Sequence, residues 1–139
     1  MGRYLVVANQ TLGAEALADK VREFMAAEPS TFHIVVPATH PKDHAFWTEG
    51  HAHALAEKHL EAALARFRKL GAEVDGEVGD ASPKLAINDA LLAGSYDAVI
   101  LSTLPAGVSR WLRKDLPHRI EHDLGIKVIH VIGRLEPAS

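Results

Sequence analysis

Five short apolar runs separated by four stretches of helical periodicity constrain this chain more than any other feature. The runs are Tyr4 to Ala8, His33 to Val36, Ala72 to Val78, Ala98 to Leu101 and Lys127 to Ile132. Between the first two, Ala14, Leu17, Ala18, Val21, Phe24 and Met25 recur at spacings of three and four. That is one face of a helix, with Thr11 expected as its N-cap. A second helix carries Leu55, Leu60, Ala63, Leu64 and Phe67 and stops at Gly71, a left-handed terminator. A third opens at Ser82-Pro83, a capping side chain followed by proline at the first helical position, and closes at Gly94. After the fourth run comes a loop ending at Gly107, then an interrupted helix to Leu124, with Pro117 marking a break and restart.

Strict alternation of strand and helix requires right-handed crossovers and a mostly parallel, doubly wound sheet with helices on both faces. Ligands of such sheets sit outside the carboxyl ends of the strands, so the loop after Leu101 is where a site is expected. Ala72 to Val78 places a charged residue or glycine at every second position, which suits a strand with one solvated face and hence an outer place in the sheet. Val128 to Ile132 is apolar on both faces apart from His130. As the last strand of a doubly wound sheet it is a candidate edge, and an apolar edge needs cover. A homodimer through Val128 to Ile132 is therefore expected.

At 139 residues and 47% hydrophobic content, the chain suffices for one domain spanning residues 1–139 with an ordinary core. A net charge of −3, with Lys and Arg scattered among Asp and Glu, offers no footprint for nucleic acid. There is no cysteine, and no apolar run approaches the roughly 18 residues of a membrane span. Met1-Gly2-Arg3 leads straight into a strand without a signal-peptide pattern. The expectation is a cytoplasmic protein with no membrane partner.

Several segments together resemble the universal stress protein family. These are Val6-Val7-Ala8-Asn9-Gln10-Thr11 at the first strand's end, Gly79-Asp80-Ala81-Ser82-Pro83 before the third helix, and Tyr96-Asp97-Ala98-Val99-Ile100-Leu101. Gly107-Val108-Ser109-Arg110-Trp111-Leu112 and the final strand after Gly125 complete the set. The resemblance covers nearly the whole chain. It implies an α/β fold of the kind shared with adenine nucleotide alpha hydrolases, a five-stranded parallel sheet in the order 3-2-1-4-5, commonly dimeric through its last strand.

Many members of that family bind ATP through glycine, two residues, glycine, nine residues, then glycine followed by Ser or Thr. Those positions fall here on Leu101, Leu104, Lys114 and Asp115, so the glycines and the hydroxyl are missing. Glycines matter because they let backbone N–H groups approach phosphate oxygens beside a helix N-terminus. Asp115 is expected instead to cap a helix start with its own carboxylate, which repels a phosphate. The aspartate that the family uses to hold the nucleoside is matched by Asn9, which can hydrogen-bond but carries no charge.

The variant cleft would be built from Asn9, Thr11, Val36, Ser102, Thr103, Gly107, Ser109 and Arg110, with Arg113 and Lys114 following. A hydroxyl pair, a glycine and cations suit a small anion or a nucleotide in a different pose. The plainer alternative is that Ser102 and Thr103 satisfy loop backbone while the cations are solvated.

Nine histidines raise the question of a metal. His40, His44, His51 and His53 cluster between the second strand and the second helix, and His118 and His122 are four apart. Zinc takes three or four converging ligands, and no HExxH pattern or cysteine is present, so no metal site is assigned. The long segment from Ala38 to Gly50 also carries Pro41, Phe46, Trp47 and Glu49, a lid in one reading and anchored packing in the other. Trp111 and the strand histidines His33 and His130 are expected to pack or hydrogen-bond. No nucleophile elbow, Walker motif or spaced carboxylate pair is found, and no catalytic residue is assigned. The expected function is a non-catalytic stress or regulatory protein that does not bind ATP in the family's usual mode and has no assigned cofactor. The alternatives are a variant binder of ATP or AMP and a small metal-dependent hydrolase or transferase using the histidine-rich loop.

Overall fold

The computed structural model describes residues 2–9, 11–38, 49–105, 109–113 and 115–133. Five strands, β1 (Gly2–Val7), β2 (Ser30–Pro37), β3 (Glu73–Gly79), β4 (Ala98–Thr103) and β5 (Val128–Ile132), form one sheet in the order β3-β2-β1-β4-β5. Every pairing is parallel. The helices are α1 (Glu15–Ala27), α2 (Glu49–Lys69), α3 (Pro83–Ala93), α4 (Arg110–Arg113) and α5 (Leu116–Leu124). The expected order and both edge strands are thus observed.

The two faces of the sheet bury separate cores. Val6, Phe32, Ile34, Val36, Val74 and Ile100 meet Leu17, Val21, Leu60 and Phe67 of α1 and α2. Leu5, Val7, Val35, Val99 and Leu101 meet Ile87 and Ala90 of α3 and Ile120 of α5, with Trp111 and Leu124 packed alongside. Alternate residues of one strand feed opposite cores, so β1 and β4 are buried on both sides.

Local signals explain most boundaries. The Ser82 hydroxyl accepts from the Leu85 amide at 3.4 Å and Pro83 starts α3, as its sequence demands. Gly71 and Gly125 close α2 and α5 with φ of +90° and +65°, a region that only glycine enters freely. His33 hydrogen-bonds Asp75 across β2 and β3 at 2.8 Å, the strand role expected of it.

Three expectations are corrected. Thr11 does not cap α1, because the N-cap is Ala14 and no side chain bonds the helix start there. Asp115 does occupy the N-cap of α5, but in a left-handed conformation at φ 54°, and its carboxylate accepts no capping hydrogen bond. His51 and His53 stand on α2 itself rather than in the segment before it. The helix begins earlier because its buried stripe starts with Ala52 and Ala56 before continuing through Leu60, Ala63 and Phe67. His40, His44, Pro41, Phe46 and Trp47 lie outside the described residues, as do Gly107 and Lys114.

Candidate functional site

The sheet reverses its winding between β1 and β4. From β1 the chain adds β2 and β3 on one side, and β4 and β5 follow on the other, so the crevice of this fold opens at the carboxyl ends of β1 and β4. Asn9 and Thr11 follow β1 there, and Ser102 and Thr103 end β4.

Ser102 and Thr103 were expected in a loop as a hydroxyl pair. β4 runs two residues further than its apolar run, through Thr103, which pairs with Ile132 of β5. Strand alternation then sends the two hydroxyls to opposite faces. Ser102 Oγ lies 2.6 Å from Thr11 Oγ1, across the switch point. Thr103 Oγ1 lies 2.8 Å from His130 Nε2 and donates to the Leu104 carbonyl at 2.9 Å. They do not converge on one ligand.

The Thr11 to Ser102 hydrogen bond is closed off from solvent, with Thr11 2% and Ser102 1% exposed. Gly133 stands directly against it. Its amide donates to the Thr103 carbonyl at 2.8 Å, extending the ladder past β5. A Cβ at Gly133 would come within 2.9 Å of Ala14 Cβ and 3.0 Å of Thr11 Cβ. The turn after β1 is therefore wedged against the ends of β4 and β5, where a crevice between β1 and β4 would open.

Asn9, 8% exposed, ties β1 to its other neighbours. Its Nδ2 donates to the Pro37 carbonyl at 2.8 Å, and its Oδ1 lies 2.6 Å from His59 Nδ1 on α2. A carbonyl can only accept, which fixes the orientation of the amide. Asn9 Oδ1 must then accept from His59, so Nδ1 carries the proton and Nε2 keeps its lone pair. Burial pushes the His59 pKa down, favouring this neutral form. His130 is shifted down by burial as well.

Ser109 Oγ accepts from the Leu112 amide at 3.2 Å, serving the first turn of α4. Val36 is a core residue of β2 without exposed surface. Arg110 begins α4. Of the remaining expected site residues, the structure brings Thr11 to Ser102 and holds Asn9, Thr103 and Ser109 to structural partners. His59 escaped the sequence reading; the usable signal was its place four residues after Leu55 on the flank of the apolar stripe of α2.

A nucleotide phosphate needs inward-facing amides or free donors at this crevice. Among the described residues, the hydroxyls of Thr11, Ser102, Thr103 and Ser109 meet each other, His130 or backbone, and Asp115 stands at the signature's last position. No buried side-chain nitrogen or oxygen among the described residues lacks a partner, and no three His, Cys, Asp or Glu residues among them converge as metal ligands. No described helix is long and apolar enough to cross a membrane.

Comparison with solved structures places the architecture. The structure of a universal stress protein from Archaeoglobus fulgidus is similar to this chain with a TM-score of 0.64, at 14% sequence identity, over 94% of this chain and 93% of that one. No family model matches the sequence, and no curated protein does. The fold is the universal stress protein fold, as the resemblance of the segments around Asn9, Ser82 and Leu101 implied.

Proposed function

We propose that this chain is a divergent universal stress protein-like protein, acting over its whole length as one domain in a stress or regulatory role in the cytoplasm. It is non-catalytic and does not bind ATP in the family's usual mode. The observation that carries this reading is the hydrogen bond between Thr11 and Ser102, 2.6 Å long and buried, across the switch point. It supports a crevice closed by the protein's own side chains. The lost glycine signature and the engagement of Asn9 with Pro37 and His59 argue the same way.

A protein without a ligand to process acts through contacts, and β5 is the natural place for them. It is a sheet edge with Ile132 50% exposed and His130 exposed beside it. A sheet edge next to apolar side chains favours strand pairing with a second copy. A homodimer through Val128 to Ile132 is part of the proposal, and a monomer in light scattering at micromolar concentration contradicts that part.

Thermal-shift measurements against ATP, ADP, AMP and cyclic nucleotides test the ligand claim. A ligand at about a hundred times its dissociation constant adds about 2.7 kcal/mol to stability, a shift large enough to see. The reading predicts no shift with any of them. A saturable rise with ATP or AMP moves the assignment to a variant nucleotide binder.

A further inference from the structure

We propose that α5 carries an exposed transition-metal site formed by His118 and His122 and suited to Cu2+. The two residues are one helical turn apart on the same face. Their rings stack with centroids 6.1 Å apart and planes inclined by 21°. Both are exposed, His122 with 77% of its side chain in solvent, so modest side-chain rotation can turn two ring nitrogens toward one ion.

One ring already has the tautomer a ligand needs. His122 Nδ1 lies 2.9 Å from Asp123 Oδ1. An ionised carboxylate only accepts, so Nδ1 holds the proton and Nε2 presents its lone pair. A carboxylate behind an imidazole in this way fixes the tautomer of metal-ligating histidines and raises their basicity. Asp123 is itself anchored by Lys84 from α3, a different helix. This contact distinguishes His122 from a freely rotating surface histidine, and His118 meets it through the ring stacking.

The site offers two nitrogens and open positions for water, since no third ligand converges among the described residues. Structural zinc sites close with four protein ligands, which this one lacks. Cu2+ accepts a tetragonal set of nitrogen and oxygen donors and stands above Zn2+ in affinity for a given nitrogen site. The inference is independent of the crevice between β1 and β4.

The test is titration of the full chain with Cu2+ and, separately, Zn2+ at neutral pH, followed by calorimetry and by electron paramagnetic resonance for Cu2+. The expected result is a saturable Cu2+ site with a two-nitrogen signature, and weaker Zn2+ binding. Losing one of two linked ligands removes the intramolecular advantage, so His118→Ala or His122→Ala should weaken that site roughly 10²-fold. Asp123→Asn should weaken it about 10-fold. A double variant, His51→Ala with His53→Ala on α2, should leave it unchanged. Circular dichroism confirms that each variant is folded. Wild-type affinity in His118→Ala, a two-nitrogen signal lost in the α2 control, or no such signal in the wild type overturns the proposal.

Discussion

Replacing Ser102 by alanine removes one side of the hydrogen bond that closes the switch point and leaves the Thr11 hydroxyl, 2% exposed, without that partner. A buried hydroxyl left unpaired costs about 1–3 kcal/mol. For a chain of this length that lowers the melting temperature by about 2–4 °C per kcal/mol. Thr11→Val keeps the branched shape, deletes the other hydroxyl and orphans Ser102 in its turn, at a similar cost. The double variant leaves no orphan, so it should lose only the net value of the bond, about 0.5–1.5 kcal/mol. The two single costs together therefore exceed the double by at least about 0.5 kcal/mol, the mark of two groups in direct contact. Equilibrium unfolding in guanidinium gives all three values, with an unchanged denaturant slope showing that the same transition is read. Additive costs, or a Ser102→Ala change within the roughly 0.5 kcal/mol of an ordinary surface substitution, refute the reasoning.

Two further predictions concern the same region. Gly133→Ala puts a methyl 2.9 Å from Ala14 Cβ and 3.0 Å from Thr11 Cβ, so the turn after β1 must move, and the expected destabilisation is about 1–3 kcal/mol by the same unfolding assay; a neutral change means the wedge is not tight. Burial lowers the His59 pKa below its unfolded value of 6.5. Below that value the unfolded chain takes up the proton first, so the His59 contribution is present above pH 6.5 and is lost as pH falls through the folded pKa. His130 adds in the same direction, so the comparison that isolates His59 is the stability slope of the wild type against His59→Gln, and identical slopes contradict this prediction.

The architecture was legible because alternation of apolar runs and helical faces is a local property. Gly71, Ser82-Pro83 and Gly94 mark helix ends through chemistry carried by one or two residues, and each acts as read. The two edges followed from the solvated alternation of β3 and the position of β5 at the end of the chain order. What stayed hidden depends on partners distant in sequence. Ser102 and Thr103 look like loop residues until Thr11 and His130 supply hydrogen bonds that let polar side chains continue a buried strand. The first turns of α2 were missed because Ala52 and Ala56 bury little area and leave only a faint periodic signal. Asn9 read as a softened nucleoside contact, since nothing local announces that Pro37 and His59 engage its amide. The missing glycine signature, by contrast, was visible as residue identity alone.

The central claim is that the protein's own side chains close the crevice between β1 and β4. Titration of the wild-type chain with magnesium-ATP, followed through the backbone amide resonances of Asn9, Thr11, Ser102 and Thr103, tests it at the atoms concerned. The account predicts no saturable change at these four amides up to millimolar nucleotide. A saturable shift that begins at Thr11 and Ser102 contradicts it, because the nucleotide would then have displaced the hydrogen bond on which the closure rests.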